Sequence, residues 1–70
     1  MPYYIANKNK DDKGRHELHE STCNYLPLKQ NQLSAGNHSD CSQAILALKK
    51  MYTNADFDGC KHCCSSCHKG

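Results

Sequence analysis

Asp58-Gly-Cys-Lys-His-Cys-Cys-Ser-Ser-Cys-His-Lys-Gly70 closes the chain and decides how the rest of it is read. Four of the six cysteines stand here as two Cys-x-x-Cys pairs: Cys60, Cys63, Cys64 and Cys67. Such a turn sets two sulfurs on one side of a tight loop, close enough to share one tetrahedral ion. A structural zinc site needs four donors of this kind. The tail offers two at a time with ease, so the others must come from elsewhere. The best upstream source is His19-Glu-Ser-Thr-Cys23. These features predict a single small domain over residues 1–70, stapled by zinc held between the two segments.

A staple is needed because the chain is short. It has 70 residues, of which 37% are hydrophobic, with no Trp and Phe57 as its one Phe. Chains of this size bury a small share of their surface. They lean on disulfides, a metal or a partner for stability. An even cysteine count also fits a disulfide framework, and that calls for an oxidising compartment. The N-terminal Met-Pro-Tyr-Tyr-Ile has no basic patch followed by an apolar run, so no signal peptide is read there. No stretch approaches the roughly 20 apolar residues of a membrane helix. A cytoplasmic protein without membrane contact is therefore expected, with metal in preference to disulfides. The formal charge of +2 is too small to argue for nucleic acid. Zinc bound by three thiolates and a neutral imidazole would bring it to about +1.

Tyr3-Tyr-Ile-Ala6 reads as a strand, with Tyr3 and Ile5 on one face and Tyr4 and Ala6 on the other. Asn7 to Gly14 is polar and turn-rich and reads as a hairpin loop. Arg15 to Glu20 is the returning strand. His19 falls at its end, and a turn through Ser21 and Thr22 brings Cys23 beside it as a half-site. The plainer reading makes His19 a surface histidine paired with Glu17 or Glu20. His16 is expected to be exposed or hydrogen-bonded. Asn24 to Gln32 reads as a loop, because Pro27 disfavours regular structure before it. Tyr25, Leu26 and Leu28 are expected to form a satellite of the core. Gln32 to Ala35 is a short third strand, ended by Gly36 and Asn37.

One main helix is expected over about residues 40–52. Asp40 followed three residues later by Gln43 is a capping-box signature. Cys41, Ala44, Ile45, Leu48, Met51 and Tyr52 recur in steps that define one buried face. Lys49 and Lys50 suit the negative end of the helix dipole. Cys41 is either a small apolar core residue or is joined to a tail cysteine by a bond or by shared metal ligation. Thr53 to Gly59 reads as a loop in which Phe57 packs under the metal turn and Gly59 permits a sharp bend. Lys61 and His62 lie between the cysteines and would ease their negative charge. Cys64 to Cys67 allows a last helical turn, and His68 is the candidate ligand of any second site. The fold class is thus α+β: a hairpin, a third strand, one helix and a Cys-rich turn.

A hairpin ending in His-x-x-x-Cys, a short strand, a helix and then Gly-Cys-x-x-Cys resembles the Ada-type zinc-binding domain over about residues 3–63. Tyr3-Tyr4, His16-Glu17-Leu18-His19, Cys23-Asn-Tyr-Leu26-Pro27, Gly36 and Asp58 to His68 are closer still to a group of small uncharacterised bacterial Cys/His-rich proteins. The Ada-type resemblance implies His19, Cys23, Cys60 and Cys63 as zinc ligands. In the DNA-repair member of that family the first ligand is a methyl-accepting cysteine. His19 stands in its place here, and a neutral imidazole is no activated thiolate. DNA repair is therefore not implied. Cys41, Cys64, Cys67 and His68 exceed the family's ligand set.

Three functions follow as expectations. The first is a structural zinc module, monomeric and without enzyme activity, that serves as an interaction domain for a protein partner. The second is thiol redox or metal trafficking through Cys64 and Cys67, since a Cys-x-x-Cys pair can cycle between dithiol and disulfide. The third is nucleic-acid binding through Lys8, Lys10, Lys13 and Arg15, a patch that Asp11 and Asp12 interrupt.

Overall fold

A computed structural model describes residues 1–70 throughout. The elements run β1 (Tyr3–Lys10), β2 (His16–Glu20), β3 (Gln32–Asn37), α1 (Cys41–Met51) and β4 (Phe57–Gly59), with single 3-10 turns at Lys29–Asn31 and Ser65–Cys67. The strands form one sheet in the order β3-β1-β2-β4. β1 runs antiparallel to both β2 and β3, whereas β2 and β4 are parallel. This is the expected α+β class, with one strand more than the sequence suggests. Asp56-Phe-Asp-Gly59 reads as loop because three residues carry no usable alternation, yet Phe57 to Gly59 pair with His16 to Leu18.

The alternation read in β1 holds. Tyr4 and Ala6 point into the core with Leu18, against Ala44 and Leu48 of α1 and Phe57 of β4. Strand β1 extends four residues past Ala6 to Lys10, so the hairpin tip is tighter than expected. Asp11 closes it: its Oδ1 accepts the backbone N–H groups of Lys13 and Arg15, each at 2.9 Å. The Arg15 N–H foremost holds the Asp11 carboxyl below the usual carboxylate range. Gly36 does not end β3. It lies inside it with φ +81°, where the register shifts opposite Tyr4 and Ile5. A bulge of that hand is open to glycine without steric penalty.

Helix α1 starts as expected, with Asp40 Oδ1 accepting the Gln43 N–H at 3.0 Å. Its buried face is shorter than its spacing suggests. Cys41, Ala44 and Leu48 are buried and Ile45 is half-buried, but Met51 is 65% exposed and Tyr52 38%. A chain this small has too few side chains to cover the last turn. The Asn24–Gln32 segment is corrected likewise. Tyr25 and Leu28 are largely exposed, and only Leu26 is half-buried.

Gly59 is needed for a reason other than bending: its φ is not positive. A Cβ there would stand 2.4 Å from the Cys64 carbonyl oxygen and 2.7 Å from the Cys67 Cβ. The Cys-rich turn is folded directly onto β4. Gly59→Ala is expected to lower stability by roughly 2–3 kcal/mol through overpacking, read as a drop in the urea midpoint. An unchanged midpoint would mean that the tail is not seated on this strand.

Candidate metal centre

The parallel pairing of β4 with β2 builds the centre. Leu18 lies opposite Gly59, so His19, still within β2 and opposite Ile5 of β1, and Cys60, the first residue past β4, stand at the same end of the sheet. The Cys60 N–H donates to the Leu18 carbonyl at 2.9 Å and fixes that placement. Past β2 the chain turns back, with the Cys23 N–H donating to the Glu20 carbonyl at 3.0 Å. Past Cys60 it turns again, with the Cys64 N–H donating to the Cys60 carbonyl at 2.8 Å. Two local turns thus face each other across neighbouring strand ends.

One ligand atom each from His19, Cys23, Cys60 and Cys63 falls in a group within 4.8 Å of one another. Cys63 Sγ is 3.8 Å from His19 Nδ1. Ligands bonded to one tetrahedral zinc stand about 3.5–3.8 Å apart, given bonds of about 2.0–2.3 Å. The donor set and its spacing therefore fit a metal ion. His19 and Cys60 are buried, and Cys23 and Cys63 half-buried.

His19 is 1% exposed, not a surface residue, and it still pairs with Glu17: Nε2 lies 3.2 Å from Oε1. The carboxylate can only accept, so the ring proton belongs on Nε2 and the lone pair on Nδ1 faces the sulfurs. Burial holds the imidazole pKa below its ordinary value, with the Glu17 charge pulling the other way. Burial is the larger of the two and favours the neutral, ligating form. Burial likewise pushes the Cys63 thiol up, helped by Cys23 beside it, and the Cys64 thiol to about 11. Without an ion these sulfurs keep their protons, so metal binding must release protons and weakens as pH falls.

The four remaining candidates go elsewhere. Cys41 and Cys67 form a disulfide that spans 26 positions of sequence and ties the first turn of α1 to the tail. Metal and disulfide thus stand side by side: one disulfide accompanies four free cysteines, Cys23, Cys60, Cys63 and Cys64, three of which belong to the donor group. Cys64 and Cys67 are consequently no dithiol pair. Cys64 is buried in the core cluster. His68 reaches no second donor group; its Nδ1 meets the Gly59 carbonyl at 2.9 Å.

Asp58, read as a loop carboxylate, is buried and accepts the Lys69 N–H at 2.6 Å, fastening the last residues to β4. Phe57 packs against His16 with the rings tilted and their centroids 5.5 Å apart, and His16 also meets the Asn7 carbonyl at 2.9 Å. His62 stacks on Tyr25 with ring centroids 4.0 Å apart, linking the two turns outside the donor group. The basic patch is partly spent inside the molecule. Arg15 pairs with Asp56 at 3.4 Å and lies 3.8 Å from Asp58, and Lys13 Nζ donates to the Gly70 carbonyl. No helix is long and apolar enough to cross a membrane. No family model, curated protein or solved structure matches the chain.

Proposed function

We propose that this chain is a structural zinc module, with His19, Cys23, Cys60 and Cys63 as the ligands. The observation that carries the reading is the convergence of three sulfurs and one imidazole nitrogen within 4.8 Å. Thiolates mixed with imidazole in a tetrahedral set suit zinc better than the hard cations, which prefer oxygen. Four protein donors leave no position open for water or substrate, so the ion organises the fold and does not turn over substrate. The likeness to Ada-type domains belongs to the same proposal, since their ligand positions fall on these four residues. A module of this kind works by presenting a surface to a protein partner. Exposed Tyr25, stacked on the metal turn, is one apolar group available for that.

Mass spectrometry under native and denaturing conditions tests this. A single zinc per chain is expected in the native spectrum, lost on acid denaturation, with four cysteines alkylated and two protected as a disulfide. A chain that carries no ion after growth with zinc, and folds the same in strong chelator, would refute the reading.

Glu17 has a place in it as an outer-sphere partner. A carboxylate that accepts from the far nitrogen of a ligand histidine fixes its tautomer and raises its basicity. Glu17→Ala is expected to weaken zinc binding by roughly 10–100-fold, measured by competition with a chromogenic chelator. Glu17→Gln, which keeps an acceptor oxygen, should recover part of the loss. If alanine and wild type compete equally, the ring is held by packing alone.

A further inference from the structure

The Cys41–Cys67 disulfide has two unlike ends. Cys41 is 5% exposed and sits on the first turn of α1. Cys67 is half-buried and lines a groove of about 400 Å³ with Ser42, Ile45, Leu46, Lys49 and Lys69 among its walls. Only one sulfur therefore faces an approach path. The groove's walls combine apolar Ile45 and Leu46 with cationic Lys49 and Lys69, and no carboxylate lines it.

We propose that Cys41–Cys67 is a thiol–disulfide exchange site, attacked at Cys67 and leaving through Cys41, with a dithiol as its co-substrate. The step obeys ordinary exchange chemistry. A partner thiolate attacks Cys67 Sγ, the Cys41–Cys67 bond breaks, and its electron pair leaves on Cys41 Sγ. The partner is then joined to Cys67 as a mixed disulfide. The partner's second thiol gives up its proton and attacks the partner sulfur of that bond. This closes the partner's own disulfide and frees Cys67 as a thiolate. Two electrons have passed from the dithiol to the protein, and the two protons the dithiol lost end on Cys41 and Cys67.

Leaving-group chemistry favours this direction. A sulfur at the start of a helix meets the positive end of the dipole, which stabilises a thiolate. The neighbouring Asp40 carboxylate opposes that, though one of its oxygens is engaged by the Gln43 N–H. Ser66 Oγ is 3.3 Å from Cys41 Sγ, within reach to donate to the departing thiolate. The approach of the partner thiolate is favoured in turn by Lys69 and by Lys49, which also lies 3.8 Å from Asp56. The inference stands on the disulfide and its groove and does not depend on the ion at the other turn.

Reduced glutathione, a monothiol that stops at the mixed disulfide, is the probe. The full chain, isolated without reductant, is treated at neutral pH without denaturant, quenched in acid, alkylated and mapped by peptide mass spectrometry. Glutathione on Cys67 with a free thiol at Cys41 is expected. Glutathione on Cys41, an even split, or no reaction until denaturant is added would each overturn the proposal. Ser66→Ala should slow the first step several-fold with an unchanged circular-dichroism spectrum. An equal rate would overturn the assignment of Cys41 as leaving group. Metal content, measured on the same samples, separates failure here from failure of the zinc reading.

Discussion

Cys60→Ser is expected to leave the protein without its ion and without a cooperative fold. Cys60 is 2% exposed, follows β4 directly and bonds through its N–H to Leu18. Its sulfur is the donor most firmly built into the sheet. Structural zinc contributes roughly 10–16 kcal/mol of apparent binding free energy in small zinc domains. A whole domain is stabilised by only about 5–15 kcal/mol. The core here is eight buried side chains, four of them (Ala6, Cys41, Ala44 and Cys64) no larger than Ala or Cys, so little remains once the ion is gone. The measurement is urea unfolding followed by circular dichroism, together with metal content. Wild type should unfold in one transition and lose it in chelator; Cys60→Ser should lack the transition in either condition. Cys64→Ala is the control, because Cys64 is buried but outside the donor group. It should keep a single zinc and lose only about 1 kcal/mol or so of packing, the scale of a small core change. Equal damage from both variants would show that the tail cysteines matter as core and not as ligands.

Removing the Cys41–Cys67 bond is the second large effect. Closing a loop between residues 26 positions apart restricts the unfolded chain by about 3–4 kcal/mol in the loop-entropy account. Cys41→Ala with Cys67→Ala should therefore lower the melting temperature by more than about 10 °C, at roughly 4–8 °C per kcal/mol for a domain of this size. The zinc stoichiometry should not change, since neither residue belongs to the donor group. The two staples are placed at different points. The disulfide ties α1 to the last 3-10 turn, whereas the donor group ties the β2 turn to the turn after β4. Their losses should be separable, the first lowering stability and the second abolishing the fold. Loss of the ion in the double variant would mean instead that the helix contact is what holds the tail turn in shape.

Much of this architecture is local and was readable. The helix start follows from Asp40 and Gln43, three positions apart on one turn. The inward face of β1 follows from the two-residue period, which puts Tyr4 and Ala6 together. Each half of the donor group is local as well: His19 and Cys23 flank one turn, Cys60 and Cys63 another. Met51, Tyr52, Tyr25 and Leu28 were misplaced for a different reason. Apolar character and spacing state what a residue can bury, but the amount of cover available depends on the whole chain.

The sequence by itself determined the two half-sites, the hairpin and the helix, because each is set by residues within one or two turns of one another. Tertiary structure alone decided how they meet. Phe57 to Gly59 has no pattern that marks a strand, and its parallel pairing with β2 joins segments some forty residues apart. That pairing sets Cys60 beside His19. The docking of α1 in turn chose Cys67, out of four tail cysteines, as the partner of Cys41. Sulfur–sulfur and metal–ligand bonds reach only a few ångströms, so which donors join is fixed by backbone placement and not by spacing along the chain.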